Sequence, residues 1–401
     1  MNDVIIAGGG IVGLTLALCF KQDGFSPLVL EPKPPPKPPA DPFAVRSYAI
    51  AAGSVALLED LGVWASLDGA RIAQFDAISV WVDRREQGIE FRPPSDWRGA
   101  MGFLVEHDHL HYALYRQAAA EGVEVRGDAV IDYEGATKTV VTDRGRIAGE
   151  LVIGADGGQS KIRDCAGFNV KNRQLDQVVV AFNIATELPI KRTASQRFLV
   201  SGPLAFLPLP AAHQAAVVWT CSRSLAEWAM QASDVELGER LTDLSQQRYG
   251  KVDCISSRVS FSLGLIEAQN YCRGRCVLVG DAAHVIHPLA GQGLNLGLMD
   301  AAALAECVGP ALGDASGGAL ERGLRRYNRW RKSEAFALIA TTNGLNRGLS
   351  NDVRIGREFL SAGMALVNRT AAKRYFAARA MGIAGDLPQR VRERVRKFQL
   401  N

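Results

Sequence analysis

Three stretches of this sequence combine glycine, aspartate and histidine at spacings that suit a phosphate-bearing ligand. The first is Gly8-Gly9-Gly10-Ile11-Val12-Gly13, a GxGxxG run. Its first glycine permits a tight turn, its second lets backbone approach a pyrophosphate, and its third lets helix and strand pack. The helix that follows offers free N–H groups to phosphates. Glu31 stands near the distance of about 20 residues expected of an acid that binds ribose hydroxyls. This context predicts dinucleotide binding and does not choose between NAD and FAD. The second stretch is Leu151–Gly157 (LVIGADG), with Ser160 and Arg163 beyond it. Its Asp156-Gly157 turn can hold a phosphate or cap a short helix over 159–165. By physics alone the cap is the simpler role for Asp156. The third runs from Arg275 to Asp300, RCVLVGDAAHVIHPLAGQGLNLGLMD. Gly280-Asp281 ends a strand where a carboxylate can accept a bond from a ligand hydroxyl. Gly291–Asn295 then places a loop and helix start where backbone N–H groups can face a phosphate or an electron-rich ring edge. His284 and His287 stand beside Asp281, but the segment reads as a loop with no evident fourth ligand, so no metal is expected.

The elements that must position these residues follow from pattern. Val4–Ala7 reads as a buried strand, Leu14–Asp23 as a helix and Pro27–Leu30 as a second strand, a βαβ opening with a parallel pair. Pro32–Pro42 (PKPPPKPPADP) excludes helix and central strand and predicts an exposed, semi-rigid linker. Ser54–Leu61 and His109–Ala120 are amphipathic helices; Ala77–Val82 and Ile89–Phe91 are strands. Val178–Ala185, Arg197–Leu199 and Ala215–Thr220 are β-rich runs separated by turn residues. They predict an antiparallel sheet inserted into the first domain. Val277–Gly280 is another buried strand, followed by a glycine-broken helix, and the chain beyond Ala319 is helical and arginine-rich.

At 401 residues the chain has room for two or three domains. Its net charge of +4 is no nucleic-acid footprint. Seven cysteines without a CxxC pair suit a reducing compartment. The apolar stretch Val4–Phe20 lacks a basic leader and carries four glycines, so a strand, turn and helix explain it better than a signal peptide. No spanning helix is expected, which predicts a cytoplasmic protein.

The three motifs, in this order and spacing, resemble the FAD-dependent aromatic monooxygenases of the p-hydroxybenzoate hydroxylase fold, and most of all the ubiquinone-biosynthesis hydroxylase family. Gly280–Ala301 (GDAAHVIHPLAGQGLNLGLMDA) matches that family's signature nearly residue for residue. Arg46 with Leu57–Trp64, Leu204–Pro208, Trp219, Thr342–Leu345 and Gly363–Arg369 also fit. The resemblance implies an α/β fold: a Rossmann-like FAD-binding domain (1–75, 100–175 and 265–330), an inserted antiparallel-sheet substrate domain (76–99 and 176–264) and a C-terminal helical region (331–401). It implies that Gly8, Gly10, Gly13 and Glu31 hold the ADP half of FAD, with Arg46 on the pyrophosphate or flavin side. Asp156-Gly157 would be the DG motif, and Gly280-Asp281 would bind ribitol and pyrophosphate. Gly293, Leu294 and Asn295 would contact the isoalloxazine, with His107 and Val130 as further cofactor contacts. His287 and Pro288 would lie beside the ring on the substrate side. Three features depart from the family pattern: Glu106-His107, Ser262 and Gly348, and the Pro32–Pro42 loop is unusual for it.

The same resemblance implies the reaction. NAD(P)H, bound transiently, would reduce FAD, and oxygen would add at the flavin C4a to give a hydroperoxide that hydroxylates a polyprenylated phenol. His284 or His287 could deprotonate the phenol or simply satisfy local backbone groups. Other ubiquinone-biosynthesis proteins are expected partners. The C-terminal LPQRVRERVRKFQLN places Val391, Val395 and Phe398 on one basic helix face, compatible with a peripheral contact at the inner membrane or with packing on its own domain. Two alternatives stand beside this reading: a same-fold hydroxylase of another aromatic metabolite, and a weakly active flavoprotein subunit of a quinone-biosynthesis assembly.

Overall fold

The computed structural model describes residues 2–82, 88–287, 291–313, 318–349 and 372–400. Pro288 and Gly363–Arg369 lie outside them. The molecule is α/β, with two large sheets and a C-terminal group of helices.

The nucleotide-side sheet is built outward from Asn2–Ala7. Val4, Ile5 and Ile6 are fully buried, as a continuous apolar run at the centre of a parallel sheet requires. This strand pairs in parallel with Pro27–Leu30 on one side and Gly145–Gly154 on the other. Glu124–Arg126 and Cys276–Leu278 extend the parallel order outward. The helix Ile11–Gln22 is apolar nearly all round because it is covered on several sides. It packs against the sheet and the helices His107–Ala120 and Gln292–Val308. Gly8 adopts φ +107°, and a Cβ at Gly13 would lie 1.9 Å from the Gly8 carbonyl oxygen. Those two positions let the chain turn from strand into helix at such close range.

Among the described residues the second sheet has nine strands. Thr193–Leu199, Gly202–Pro208, Gln214–Cys221 and Val170–Thr186 form its antiparallel body. Ala77–Trp81 joins in parallel to Thr193–Leu199 and carries Ile89–Phe91 at the edge. The strands Val170–Thr186 and Val259–Ala268 each run unbroken through the positions 175/176 and 264/265 where sequence suggested a domain boundary. In the third motif the helix starts within Gly291–Asn295, where the sequence placed a loop and helix start, and a short strand comes before it. No helix follows Cys276–Leu278 directly. A single 3-10 turn at Gly280–Ala282 leads into His284–Val285, which pairs with Ile266 and Glu267 of the second sheet. The long helix begins at Gln292.

The C-terminal helix Gln389–Leu400 packs on Ala52–Asp60. Val391 and Val395 are buried, Phe398 stacks at 5.5 Å from Trp97, and Arg390 and Arg394 pair with Asp23 and Glu59. The face that could have lain on a membrane is used inside the molecule. Among the described residues no helix is long and apolar enough to cross a bilayer. All seven cysteines are unpaired.

Candidate active site

A cavity of about 2280 Å³ lies between the two sheets. Single ligand sites are usually about 300–1,000 Å³, so this space suits a large cofactor together with a second molecule. Its two halves differ in chemistry.

One half is made of backbone turns and charged groups. Gly8, Gly10, Glu31, Arg46, His107, Val130, Asp156, Gly157, Gly280, Asp281, Gly293 and Leu294 all line it. A Cβ at Gly10 would meet no heavy atom within 4 Å, so the turn faces open space where a ligand can approach the backbone. Glu31 is drawn onto that turn: Gly9 N–H donates to its Oε2 (2.9 Å) and Lys33 N–H to its Oε1 (3.0 Å). An ionised carboxylate keeps further lone pairs for ribose hydroxyls. Asp281 opens into the cavity, bonded to no described residue, and the protein around it pushes its pKa up by burial. Such a carboxylate is a ready acceptor for a ligand hydroxyl.

Asp156 takes the capping role that was the simpler reading of it in the sequence. Its Oδ2 accepts from Lys161 N–H (2.7 Å) and Ile162 N–H (3.2 Å), capping Lys161–Cys165 beside the Ser160 cap. Its Oδ1 is buried with no partner, and burial raises its pKa. The helix His107–Ala120 begins two residues before its expected start, which brings His107 and His111 to the cavity wall. Burial first, then Arg46, pushes the His107 pKa down to about 4, so its ring is neutral. His111 Nε2 lies 2.8 Å from the Gly9 carbonyl oxygen. The proline-rich segment, expected as a linker, forms part of the rim, since Pro32–Pro36, Lys37, Pro38 and Ala40 line the cavity. Its far end is held by Arg71, which pairs with Asp41 and, through two nitrogens at 2.7 Å each, with the buried Glu106.

Gly13, Asn295 and His287 stand behind the wall, outside the lining. Asn295 ties two elements together: its Nδ2 donates to Ala49 O (2.8 Å) and its Oδ1 accepts from Ala51 N–H (2.9 Å). His287 is buried, 3.3 Å from Gln177 Oε1, and burial lowers its pKa to about 4. Val285 and Ile286 occupy the wall beside it. Asp281, His284 and His287 do not converge as a metal set. His284 Nε2 instead lies 2.6 Å from Asp300 Oδ2, while Arg331 Nε donates to Asp300 Oδ1 (2.7 Å) and Gly280 N–H to Oδ2 (3.0 Å). This buried trio sits directly under the Gly280-Asp281 turn. Sequence reasoning missed Asp300 and Arg331; the only local signal was the aspartate closing the third motif.

The other half of the cavity is one face of the second sheet. Val259, Ala181, Val218, Ala205, Gln196, Val80 and Ile89 follow one another across six neighbour pairings in a single register row. All seven line the cavity, with Phe261, Phe198, Ile78 and Phe91 beside them. Period-two alternation places Phe206, which does not line the cavity, on the opposite face. Among the described residues this floor carries no charge.

Comparison with known proteins bears on both halves. The model of the FAD-binding domain family matches residues 1–342. A ubiquinone hydroxylase of Rhodospirillum rubrum is 33% identical over 390 residues, covering 95% of this chain and 89% of its own. The 3-demethoxyubiquinol 3-hydroxylase of Escherichia coli is 30% identical over 389 residues, 95% of this chain and 99% of its own. Among solved structures, PqsL of P. aeruginosa superposes with a TM-score of 0.75 at 23% identity, covering 91% of this chain and 99% of that one. That last likeness concerns the fold alone.

Proposed function

The chain belongs to the FAD-binding domain family, and from that premise we propose that it hydroxylates the aromatic ring of a polyprenylated phenol in ubiquinone biosynthesis, with NAD(P)H as electron donor. It is an FAD-dependent monooxygenase. The observation that carries the substrate assignment is the cavity's division into a polar nucleotide cradle and an apolar, uncharged floor within one continuous space.

FAD, when bound, supplies the activation of oxygen and its transfer to the ring. The chain's own residues bind, orient and shield. The glycine turn and the N-terminus of Ile11–Gln22 would hold the pyrophosphate. Arg46 would add a positive charge beside it, Glu31 would take ribose hydroxyls, and Asp281 would accept from the ribityl chain. Gly293 and Leu294 would border the ring system. The floor from Ile89 to Val259 would exclude water from the reacting ring. Val259 and Phe261 are 42% and 50% exposed at the rim, which supports entry of a greasy substrate from a membrane surface there.

Quinone extracts from cells lacking the gene test the reading. An accumulated prenylphenol is expected, converted onward by the intact gene and not by Asp281→Ala. An unchanged quinone profile, together with no phenol-stimulated NAD(P)H oxidation by the purified flavoprotein, would overturn it.

A further inference from the structure

Six of the seven residues in the floor row are apolar, and the seventh is an amide. Gln196 stands between Ala205 and Val80 across the sheet, with Ala194 and Phe198 as its same-face neighbours along the strand. It is 9% exposed and lines the cavity. Among the described residues, no hydrogen bond reaches its side chain. A primary amide carries two donor hydrogens and an acceptor oxygen. Buried polar groups in native proteins almost always have partners, so one held open towards a cavity requires an explanation. The row around it offers none, since every cross-strand neighbour ends in methyl groups.

We propose that Gln196 is the residue that reads the substrate's head group, hydrogen-bonding a neutral ring oxygen, a phenol or hydroquinone hydroxyl, and so fixing which ring carbon faces the flavin. The proposal rests on the hydroxylase reading above and deepens it. A neutral amide suits a neutral hydroxyl, because it can donate to it and accept from it at once. An aromatic carboxylate would call for a cation, and this floor has none among its described residues. The row also gives the bound molecule a direction. Ile89 closes one end at 3% exposure, while Val259 opens the other at 42%. A head group anchored at Gln196 would send its apolar tail past Ala205, Val218 and Ala181 to the open end.

The test uses the full-length, FAD-loaded protein with ortho-geranylphenol and with geranylbenzene, which lacks the hydroxyl. Binding is read from the change in flavin absorbance, and turnover from hydroxylated product against hydrogen peroxide released. The wild-type protein is expected to bind the phenol more tightly than the hydrocarbon. Gln196→Leu is expected to weaken phenol binding by about 10-fold, to leave the hydrocarbon unchanged, and to divert turnover towards peroxide. FAD content and unfolding midpoint stay as in the wild type. Gln196→Asn, which keeps the amide on a shorter stem, is the second variant if the leucine protein does not fold; it is expected to bind the phenol weakly and to release more peroxide. A Leu or Asn variant that discriminates phenol from hydrocarbon as the wild type does, and couples turnover as well, overturns the proposal while leaving the hydroxylase reading intact. A wild-type protein that holds FAD yet neither binds nor oxidises the phenol overturns both.

Discussion

Gly10→Ser separates what the glycine turn does for the fold from what it does for the cofactor. Gly10 is the N-cap of Ile11–Gln22 at φ −73° and ψ −175°, with no side-chain cap bond. That conformation is open to any L-residue and is the one that N-capping serines adopt. An added Cβ meets nothing within 4 Å. In the apoprotein, serine therefore gains a few tenths of a kcal/mol as a cap. It gains about 0.4–1 kcal/mol more by restricting the unfolded chain. The sum is a stabilisation of roughly 0.5–1.5 kcal/mol. FAD experiences the opposite. The new side chain fills the space the pyrophosphate needs, and its hydroxyl occupies one of the helix N–H groups. Overpacking of this kind costs about 1–3 kcal/mol, which weakens binding roughly 5- to 150-fold. Urea unfolding of apoprotein and fluorescence titration of FAD measure the two arms. Unchanged FAD affinity, or a destabilised apoprotein, would refute the reasoning. Gly13→Ala supplies the contrast: its Cβ would fall 1.9 Å from the Gly8 oxygen, so it damages the apoprotein before any cofactor is added.

Further predictions concern the buried charges and the surface. Burial alone would raise the Asp300 pKa, but His284 and Arg331 outweigh it and hold the carboxyl below the usual carboxylate range. Asp300→Asn strands Arg331 in the interior and is expected to cost about 3–5 kcal/mol in urea unfolding; a loss under about 1 kcal/mol would show that water reaches the trio. His287 has its pKa lowered to about 4 by burial, against about 6.5 unfolded. Between those values the unfolded chain binds more protons, so stability is whole above pH 6.5 and falls as pH drops towards 4. Pre-empting that titration with His287→Gln should flatten the fall by about 1.4 kcal/mol per pH unit, and an unaltered slope would place the lost protons elsewhere. Vesicle flotation should weaken with Phe261→Ser, exposed at the rim, and not with Arg396→Ala on the packed C-terminal helix. The reverse result would return membrane contact to the tail.

What was legible in the sequence was local. The opening strand, glycine turn and helix announce themselves through apolar runs punctuated by glycine, and Pro27–Leu30 is found with the expected bounds. The glycine turn rests partly on local backbone geometry, the positive φ at Gly8 and the close approach at Gly13, so residue type and spacing make it legible. Contacts decided by register were not legible. Nothing near Gln196 says that Val80 flanks it, because that pairing joins strands more than a hundred residues apart, and its Ala205 neighbour is set by the exact register of the following hairpin. Asp300 and Arg331 meet across 31 residues by helix packing. The same limit explains His287: its neighbours in sequence line the cavity, and the short strand ending at Val285 carries the chain on so that His287 points behind them. The proline run reads correctly as non-helical, yet its place on the rim depends on the Arg71 clamp, which only the folded molecule brings together.

The unbroken strand Val170–Thr186 has a mechanical consequence. One part, Val170–Gln174, pairs with Leu265–Ala268 and Gly264 beside the nucleotide cradle; the other, from Val178, is a central strand of the floor. A single beam thus passes through both halves, bent only at the register shift between Gln174 and Val178. Neither half can open without loading the other through that beam. Heat should therefore melt cradle and floor in one cooperative step, and the two halves expressed as separate chains should fail to reassemble into a protein that keeps its yellow colour.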